Sequence, residues 1–122
     1  MDIKVIAGNI AGIKAGAIVA GVFDGTEHPG GDIAAIDSAL GGAVLRLTTQ
    51  GEIKGKLNEI TLVHSLGRLP ADRVAVVGLG KPSELSPDKI RGAVAEVCRL
   101  LRQKGCVSVA TTALGAGVAG IP

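Results

Sequence analysis

The stretch Arg73-Val-Ala-Val-Val-Gly-Leu-Gly80 opens the segment that decides the fold. Its continuous apolar run is typical of a strand that is covered on both faces, and its two glycines predict a turn. An amphipathic helix is predicted over residues 87–104, and a second strand over residues 106–110 (Cys-Val-Ser-Val-Ala). A strand, a helix and a strand in this order predict two parallel strands joined by a right-handed crossover. The segment therefore indicates the α/β class.

The ends of the predicted helix carry clear signals. Ser86 can accept a hydrogen bond from the first turn, Pro87 suits the first helical position, and Asp88 is favourable at the positive end of the helix dipole. Gly105 can adopt the left-handed conformation that ends a helix. Apolar residues at three- and four-residue spacings form one stripe of this helix: Ile90, Ala93, Val94, Val97, Cys98, Leu100 and Leu101.

The rest of the chain supplies further strands and helices around this unit. Strands are predicted at 2–7 (a half-exposed edge strand), 14–23 (more buried) and 59–65, and helices at 32–40, with Asp32 as its cap, and 43–49. The Gly41-Gly42 pair should separate the two helices, and residues 51–58 are predicted as a polar hairpin connection. This order predicts a single three-layer α/β/α domain over residues 1–122, with a mixed, mostly parallel central sheet.

Composition excludes several classes of protein. A chain of 122 residues fits one domain, and 47 per cent apolar residues argue against disorder. The net charge of +2, with Phe23 as the one aromatic residue, does not favour nucleic-acid binding. The longest apolar run, residues 15–23, is much shorter than the roughly 20 residues that span a bilayer. With no signal peptide apparent, a cytoplasmic location and no membrane partner are expected.

Residues able to carry chemistry are few and scattered. His28 and His64 lack a second ligand at metal spacing, and Cys98 and Cys106 are expected to be two buried thiols rather than zinc ligands. His64 stands next to Ser65, but adjacent strand residues point to opposite faces, which does not favour a nucleophile–base pair. The carboxylates form no cluster. The residues themselves therefore indicate no catalytic, cofactor-binding or metal-binding site.

The loop Gly78-Leu-Gly-Lys-Pro-Ser83 begins like a dinucleotide-binding loop. That motif needs a third glycine, a helix that starts within the loop, and an acidic residue about 20 positions further on. Here Ser83 stands at the third position, the helix begins only at Pro87, and Leu100 occupies the acidic position. A tight turn after the strand is the favoured interpretation. Binding of an anion or another ligand at the carboxyl edge of the sheet stays open as an alternative.

Taken in order, several stretches resemble the N-terminal domain of leucyl aminopeptidases, the cytosol aminopeptidase family. The resemblance covers nearly the whole chain and rests on an ordered set of strands and glycine turns. The stretches are Gly21-Val-Phe-Asp-Gly25, Gly51-Glu-Ile-Lys-Gly-Lys-Leu-Asn-Glu-Ile-Thr-Leu-Val-His-Ser65, Arg73-Val-Ala-Val-Val-Gly-Leu-Gly-Lys81, Arg91-Gly-Ala-Val-Ala-Glu-Val-Cys-Arg-Leu-Leu101 and Leu114-Gly-Ala-Gly-Val-Ala-Gly-Ile121.

This resemblance implies a macro-domain-like fold and a place in a larger enzyme. Full members of the family are cytoplasmic hexamers that remove N-terminal residues, leucine among the favoured ones, from peptides. They use two divalent metals, zinc or manganese, which Lys, Asp and Glu side chains of a larger C-terminal domain hold. The catalytic signature Asn-Thr-Asp-Ala-Glu-Gly-Arg occurs nowhere in this sequence. No catalytic or metal-binding residue can therefore be carried over, and the catalytic domain is expected to lie beyond this sequence.

Three hypotheses follow for function. The first is a non-catalytic N-terminal domain of a leucyl aminopeptidase, which serves assembly and access to the active site and has the C-terminal catalytic domain as its partner. The alternative is a stand-alone macro-like module for an ADP-ribose-type ligand, with the Gly78–Ser83 loop as its best support. The third is regulatory DNA binding, which the small net charge and the lack of aromatic residues disfavour.

Overall fold

The computed structural model describes residues 2–6, 9–25 and 32–112, which form one five-stranded sheet with helices on both faces. The His28 loop and the tail from residue 113 lie outside the described residues. The strands are β1 (Asp2–Val5), β2 (Ala17–Val22), β3 (Ile60–His64), β4 (Arg73–Gly78) and β5 (Ser108–Thr111). The helices are α1 (Asp32–Ala39), α2 (Ala43–Thr49) and α3 (Pro87–Gln103), with 3-10 turns at Ile10–Gly12 and Pro82–Glu84.

The sheet has the strand order β1-β5-β2-β4-β3. All neighbouring strands are parallel except β3, which pairs antiparallel with β4. The predicted parallel direction of β4 and β5 is confirmed, but the two strands are not neighbours. β2 lies between them and pairs with both, so that Ile18 stands opposite Val74 on one side and Ala110 on the other. β2 takes the centre because nearly all of its residues are apolar and buried.

Alternation along the strands sends apolar side chains into two separate layers. Alternate residues of β2 and β4 pack with α1, α2 and the first 3-10 turn: Ile10, Ile18, Ala20, Val22, Ile33, Ile36, Val44, Val74 and Val76. The intervening residues pack against α3: Ala17, Val19, Ala75, Val77, Ala93, Val97, Leu101 and Val109. These two cores confirm the predicted three-layer α/β/α architecture with a mixed, mostly parallel sheet.

Helix α3 has the ends that its sequence predicts. The Oγ atom of Ser86 accepts a hydrogen bond from the Lys89 N–H at 3.2 Å, and Pro87 is the first helical residue. Gly105 has φ +81° just beyond the helix. Both local ion pairs, Asp88 with Arg91 and Glu96 with Arg99, lie on the exposed side. Capping and patterning within one segment therefore determine this helix.

Two predictions about the loops and cysteines need correction. Residues 51–58 do not form a polar hairpin connection: they join α2 to β3 as an irregular segment, and Ile53 is only 3 per cent exposed because it joins the core on the α1–α2 side. Cys98 is buried as expected, whereas Cys106 is half-buried because it precedes β5 at the end of α3 rather than lying inside the strand.

Candidate functional site

The natural place for a site in this fold is the edge where the parallel strands end, because ligands of open α/β sheets bind outside the carboxyl ends of the strands. Phe23 and Asp24 follow β2 at this edge, and Leu79 and Gly80 follow β4. Residues 53–59, hereafter the closing segment, lie across the ends of these two strands. Hydrogen bonds join the closing segment to β4 and to the turn that follows it.

The glycine loop after β4 uses its first three N–H groups inside the protein. Gly78 donates to the Glu59 carbonyl at 2.7 Å, Leu79 to the Val22 carbonyl at 2.8 Å, and Gly80 to the Gly55 carbonyl at 3.0 Å. An anion-binding loop needs such N–H groups to point at the ligand. These three are therefore not available to a ligand. The arrangement supports the favoured interpretation of a tight turn, in which Gly80 adopts φ +75°.

Two glycines let the backbones at this edge approach very closely. A Cβ atom on Gly78 would lie 1.9 Å from the carbonyl oxygen of Lys56. Gly55 has φ +80°, and a Cβ atom there would lie 2.3 Å from the carbonyl oxygen of Phe23. Neither contact leaves room for a side chain. The glycines are therefore required for packing of the closing segment against β2 and β4 rather than for recognition of a phosphate.

Two sets of side-chain contacts hold the closing segment, one within the segment and one to the residue Asp24 after β2. The Oε1 atom of Glu59 accepts hydrogen bonds from the N–H groups of Lys54 at 2.7 Å and Gly55 at 3.1 Å. The Nζ atom of Lys56 lies 2.9 Å from the Oδ2 atom of Asp24. The sequence alone indicated no cluster among the carboxylates. Asp24 and its partner Lys56 are 32 residues apart, and only the fold brings them together. The carboxylates of Glu59 and Asp24 therefore have structural partners.

Replacing Glu59 tests the first of these contacts. Glu59→Ala leaves two backbone N–H groups without their acceptor, one of them on the buried residue Gly55, so we expect a loss of about 1–3 kcal/mol in the free energy of unfolding. Glu59→Gln keeps an acceptor oxygen and should lose less. Urea denaturation measures both, with the exposed Glu52→Ala as control. Equal stability of Glu59→Ala and Glu52→Ala would contradict the role assigned to this carboxylate.

His64 and Ser65 do not form a catalytic pair. His64 is exposed at the end of β3, whereas Ser65 is buried with 3 per cent exposure. The Ser65 hydroxyl donates to the carbonyl oxygen of Ala71 at 2.5 Å, across the turn that joins β3 to β4. The hydroxyl is therefore already used to hold this turn. The prediction that the two residues are poorly placed to bond each other agrees with these positions, although Ser65 lies just beyond β3 rather than within the strand.

The two thiols lie in different environments. Burial raises the pKa of the Cys98 thiol, and the nearby Arg102 guanidinium only partly opposes this effect. The Sγ atom of Cys106 is half-buried and accepts a long contact, 3.5 Å, from Nη1 of Arg73. The same guanidinium nitrogen donates to the carbonyl oxygen of Lys104 at 3.2 Å. Arg73 thus ties β4 to the segment between α3 and β5.

The thiols should differ in reactivity, because the thiolate is the nucleophile and burial restricts both its formation and its access. At pH 7–8 we expect a colorimetric thiol reagent to modify Cys98 roughly tenfold or more slowly than Cys106 in the folded protein. The Cys98→Ser and Cys106→Ser variants assign the two phases, and unfolding in urea should make the rates equal. A faster phase that disappears in Cys98→Ser would contradict the assignment.

A cavity of about 420 Å³ lies between α1 and α2. Its wall consists of Ile33, Ala34, Asp37, Ser38, Gly41, Gly42, Val44 and Leu45. The one acidic side chain in this wall, Asp37, accepts a hydrogen bond through Oδ1 from the Leu45 N–H at 2.9 Å. It therefore caps the start of α2, where Gly42 has no side chain to do so. The one carboxylate of this cavity therefore has a structural partner.

Residues 2–6, 9–25 and 32–112 contain no group of three or more His, Cys, Asp or Glu side chains that could hold a metal ion. Within the same ranges, no helix is both long and apolar enough to cross a bilayer.

Solved structures with the same arrangement are macrodomains. The macrodomain of Mycobacterium tuberculosis DarG superposes with a TM-score of 0.76 at 17% sequence identity, covering 98% of this chain and 81% of that chain. A Trypanosoma brucei macrodomain gives a TM-score of 0.77 at 25% identity, covering 98% of this chain and 48% of that one. The class is therefore a macrodomain-like α/β/α domain.

The sequence itself defines the family more narrowly. The model of the cytosol aminopeptidase family, N-terminal domain, matches residues 19–118. The probable cytosol aminopeptidase of Alkaliphilus oremlandii is 36% identical over 94% of this chain and 23% of its own length. That of Geobacter sulfurreducens is 34% identical over 100% of this chain and 24% of its own. The chain belongs to the cytosol aminopeptidase family, whose N-terminal domain it matches, and it spans about a quarter of the length of these relatives.

Proposed function

We propose that this chain is the non-catalytic N-terminal domain of a dinuclear-metal leucyl aminopeptidase, in which it serves assembly and access to the active site. The match to the family covers nearly the whole chain but only 23–24% of the length of the two relatives. The catalytic part of the enzyme is accordingly a separate, larger portion of the polypeptide. We expect the full protein to be a cytoplasmic hexamer that acts on peptide substrates. In it, this catalytic portion is the partner of the N-terminal domain.

The carboxyl edge of the sheet carries this proposal. Four of its groups have partners within the domain: Glu59 holds the closing segment, Asp24 pairs with Lys56, and the N–H groups of Gly78 and Gly80 bond to backbone carbonyls. Because these groups already form hydrogen bonds or ion pairs within the domain, they support a structural role for it rather than a catalytic one. The two divalent metals expected for the enzyme do not fit the described residues, which offer no ligand group of the required size.

Peptidase assays test the absence of catalysis. The purified 122-residue chain, incubated with leucyl p-nitroanilide and with zinc or manganese, should release no more p-nitroaniline than buffer with the same metal. A full-length relative such as the Geobacter sulfurreducens protein serves as the positive control. Metal-dependent turnover that copurifies with the chain through two chromatographic steps would contradict the proposal.

Removing the domain from that relative tests the positive role. A version that lacks the matched N-terminal quarter should sediment as a smaller assembly or show a changed KM for a long peptide relative to leucyl p-nitroanilide. A change in KM for the long peptide alone would point to access, and a smaller assembly would point to oligomerisation. An unchanged sedimentation coefficient together with unchanged kinetics would remove the proposed role.

The macrodomain-like fold supports a second candidate, a module for an ADP-ribose-type ligand. The closed glycine turn at Gly78–Gly80 weighs against it, because its N–H groups already have partners. Titration calorimetry with ADP-ribose at millimolar concentration decides between the two. Saturable heat with the 122-residue chain would favour the binding module, whereas the aminopeptidase domain predicts only heat of dilution.

A further inference from the structure

Strand β1 lies at the end of the sheet, and no strand among residues 2–6, 9–25 and 32–112 pairs with its outer side. Asp2 donates its N–H to the Val107 carbonyl and Ile6 donates to the Thr111 carbonyl, both toward β5. Backbone groups of alternate residues point to opposite sides of a strand. The N–H and C=O groups of Ile3 and Val5 therefore face outward, away from β5.

This edge has few of the features that usually protect an edge strand. All four residues of β1 are exposed, and two of them are large and apolar: Ile3 is 48 per cent exposed and Val5 is 71 per cent exposed. Both stand on the α3 face, because Ile3 pairs with Val109, whose side chain packs in the core beneath α3. The other two residues, Asp2 and Lys4, carry opposite charges and stand together on the opposite face, since Lys4 pairs with Ala110.

We propose that this edge binds a second copy of the same chain through antiparallel pairing of the two β1 strands. Consider a two-fold axis that is normal to the sheet. Opposed residues then share a face, so the axis can pass through any of the four residues of β1. Registers centred on Asp2 or on Lys4 place like charges opposite each other, which is destabilising. A register centred on Val5 sets Lys4 opposite Ile6 and forms no charge pair. The register centred on Ile3 sets Asp2 of each copy opposite Lys4 of the other.

The backbone geometry agrees with this register. Ile3 carries its N–H and C=O groups on the outer side, so the two Ile3 residues can exchange a pair of hydrogen bonds across the axis. The two sheets then join into one of ten strands, with Ile3 against Ile3 on the α3 face and two Asp2–Lys4 pairs on the other face. A sequence of acid, apolar residue and base is complementary to itself only when the strands run antiparallel. The occupant that this charge pattern fits is therefore a second copy, and this does not depend on the aminopeptidase assignment.

Sedimentation velocity of the 122-residue chain tests the proposal over about 10 µM to 1 mM, the range suited to a small interface. We expect a reversible monomer–dimer equilibrium that weakens with salt, because the paired charges are exposed. Lys4→Asp puts an acid opposite Asp2 twice and should raise the dissociation constant about tenfold or more. Lys14→Asp, the same charge change at an exposed residue outside β1, should leave it within about twofold.

The charge-swapped double variant, Asp2→Lys with Lys4→Asp, distinguishes this register from general adhesion. It should restore dimerisation to near the wild-type constant, and amide exchange at Ile3 should slow as the protein concentration rises. A single monomeric species at 1 mM would overturn the proposal and leave the edge to a different polypeptide. Equal effects of Lys4→Asp and Lys14→Asp, or failure of the double variant to restore the dimer, would overturn it as well. Circular dichroism confirms that each variant is folded.

Discussion

Gly78→Ala should destabilise the domain by about 3 kcal/mol or more, which is a large part of the 5–15 kcal/mol typical of a folded domain. The added Cβ atom would lie 1.9 Å from the Lys56 carbonyl oxygen, a distance that no rotamer change can relieve, because both atoms are fixed by the backbone. Either the closing segment moves off β4 or the strand end distorts. Both outcomes strain the hydrogen bonds that Gly78 makes with Glu59 and Asn58.

Thermal unfolding followed by circular dichroism measures this effect, and the midpoint should fall by roughly 10 °C or more. Gly92→Ala is the matched control. Gly92 is exposed within α3, and a Cβ atom there meets nothing within 4 Å. The same substitution should therefore stabilise by roughly 0.5–1 kcal/mol, through helix propensity alone. A Gly78→Ala protein as stable as wild type would contradict the close approach of the two backbones.

Leu101→Ala should cost about 2–5 kcal/mol in the free energy of unfolding. Leu101 is fully buried in the last turns of α3 and packs with residues of β2 and β4 such as Val19 and Val77. Removing its side chain takes apolar atoms out of the core and leaves a cavity. The sheet below and the helix backbone above are both held by hydrogen bonds, which limits how far they can move to fill it.

Urea denaturation gives the magnitude, with Gln103→Ala as the control from the same helix. Gln103 is exposed, so its replacement should change stability by no more than about 0.5 kcal/mol. The slope of the unfolding free energy against urea should stay the same in both variants, because the surface exposed on unfolding hardly changes. Similar losses for the two variants would show that α3 does not pack on the sheet through Leu101.

The strand–helix–strand unit could be predicted from sequence because its signals are local. Ser86, Pro87 and Gly105 mark the ends of α3 within one stretch of chain, and the apolar stripe between them needs only the helical period. The position of β2 between β4 and β5 could not be predicted in the same way. It depends on which apolar strands bury the most surface together, and this involves residues about 90 positions apart, such as Ile18 and Ala110.

The candidate site, likewise, could be predicted from the sequence only in part. The glycine pattern at Gly78–Gly80 correctly predicted a tight turn, but its partner, the closing segment, was interpreted as a polar connection. Ile53 and Gly55 gave no periodic signal, because an irregular segment is held by individual contacts rather than by a repeat. The hydrogen bonds that Glu59 accepts from the N–H groups of Lys54 and Gly55 depend on a backbone shape that only the folded chain has.

By itself, the sequence determined the fold class, the bounds of α3 and the membership in a family, since each rests on order and periodicity along the chain. Only the tertiary structure decided that the closing segment covers the carboxyl ends of β2 and β4 and that β1 pairs with β5. Both facts arise from contacts between distant segments: the Lys56 carbonyl against Gly78, and Asp2 beside Val107. Such contacts are set by which backbones can approach each other after the core has formed, and no local pattern of residue types records them.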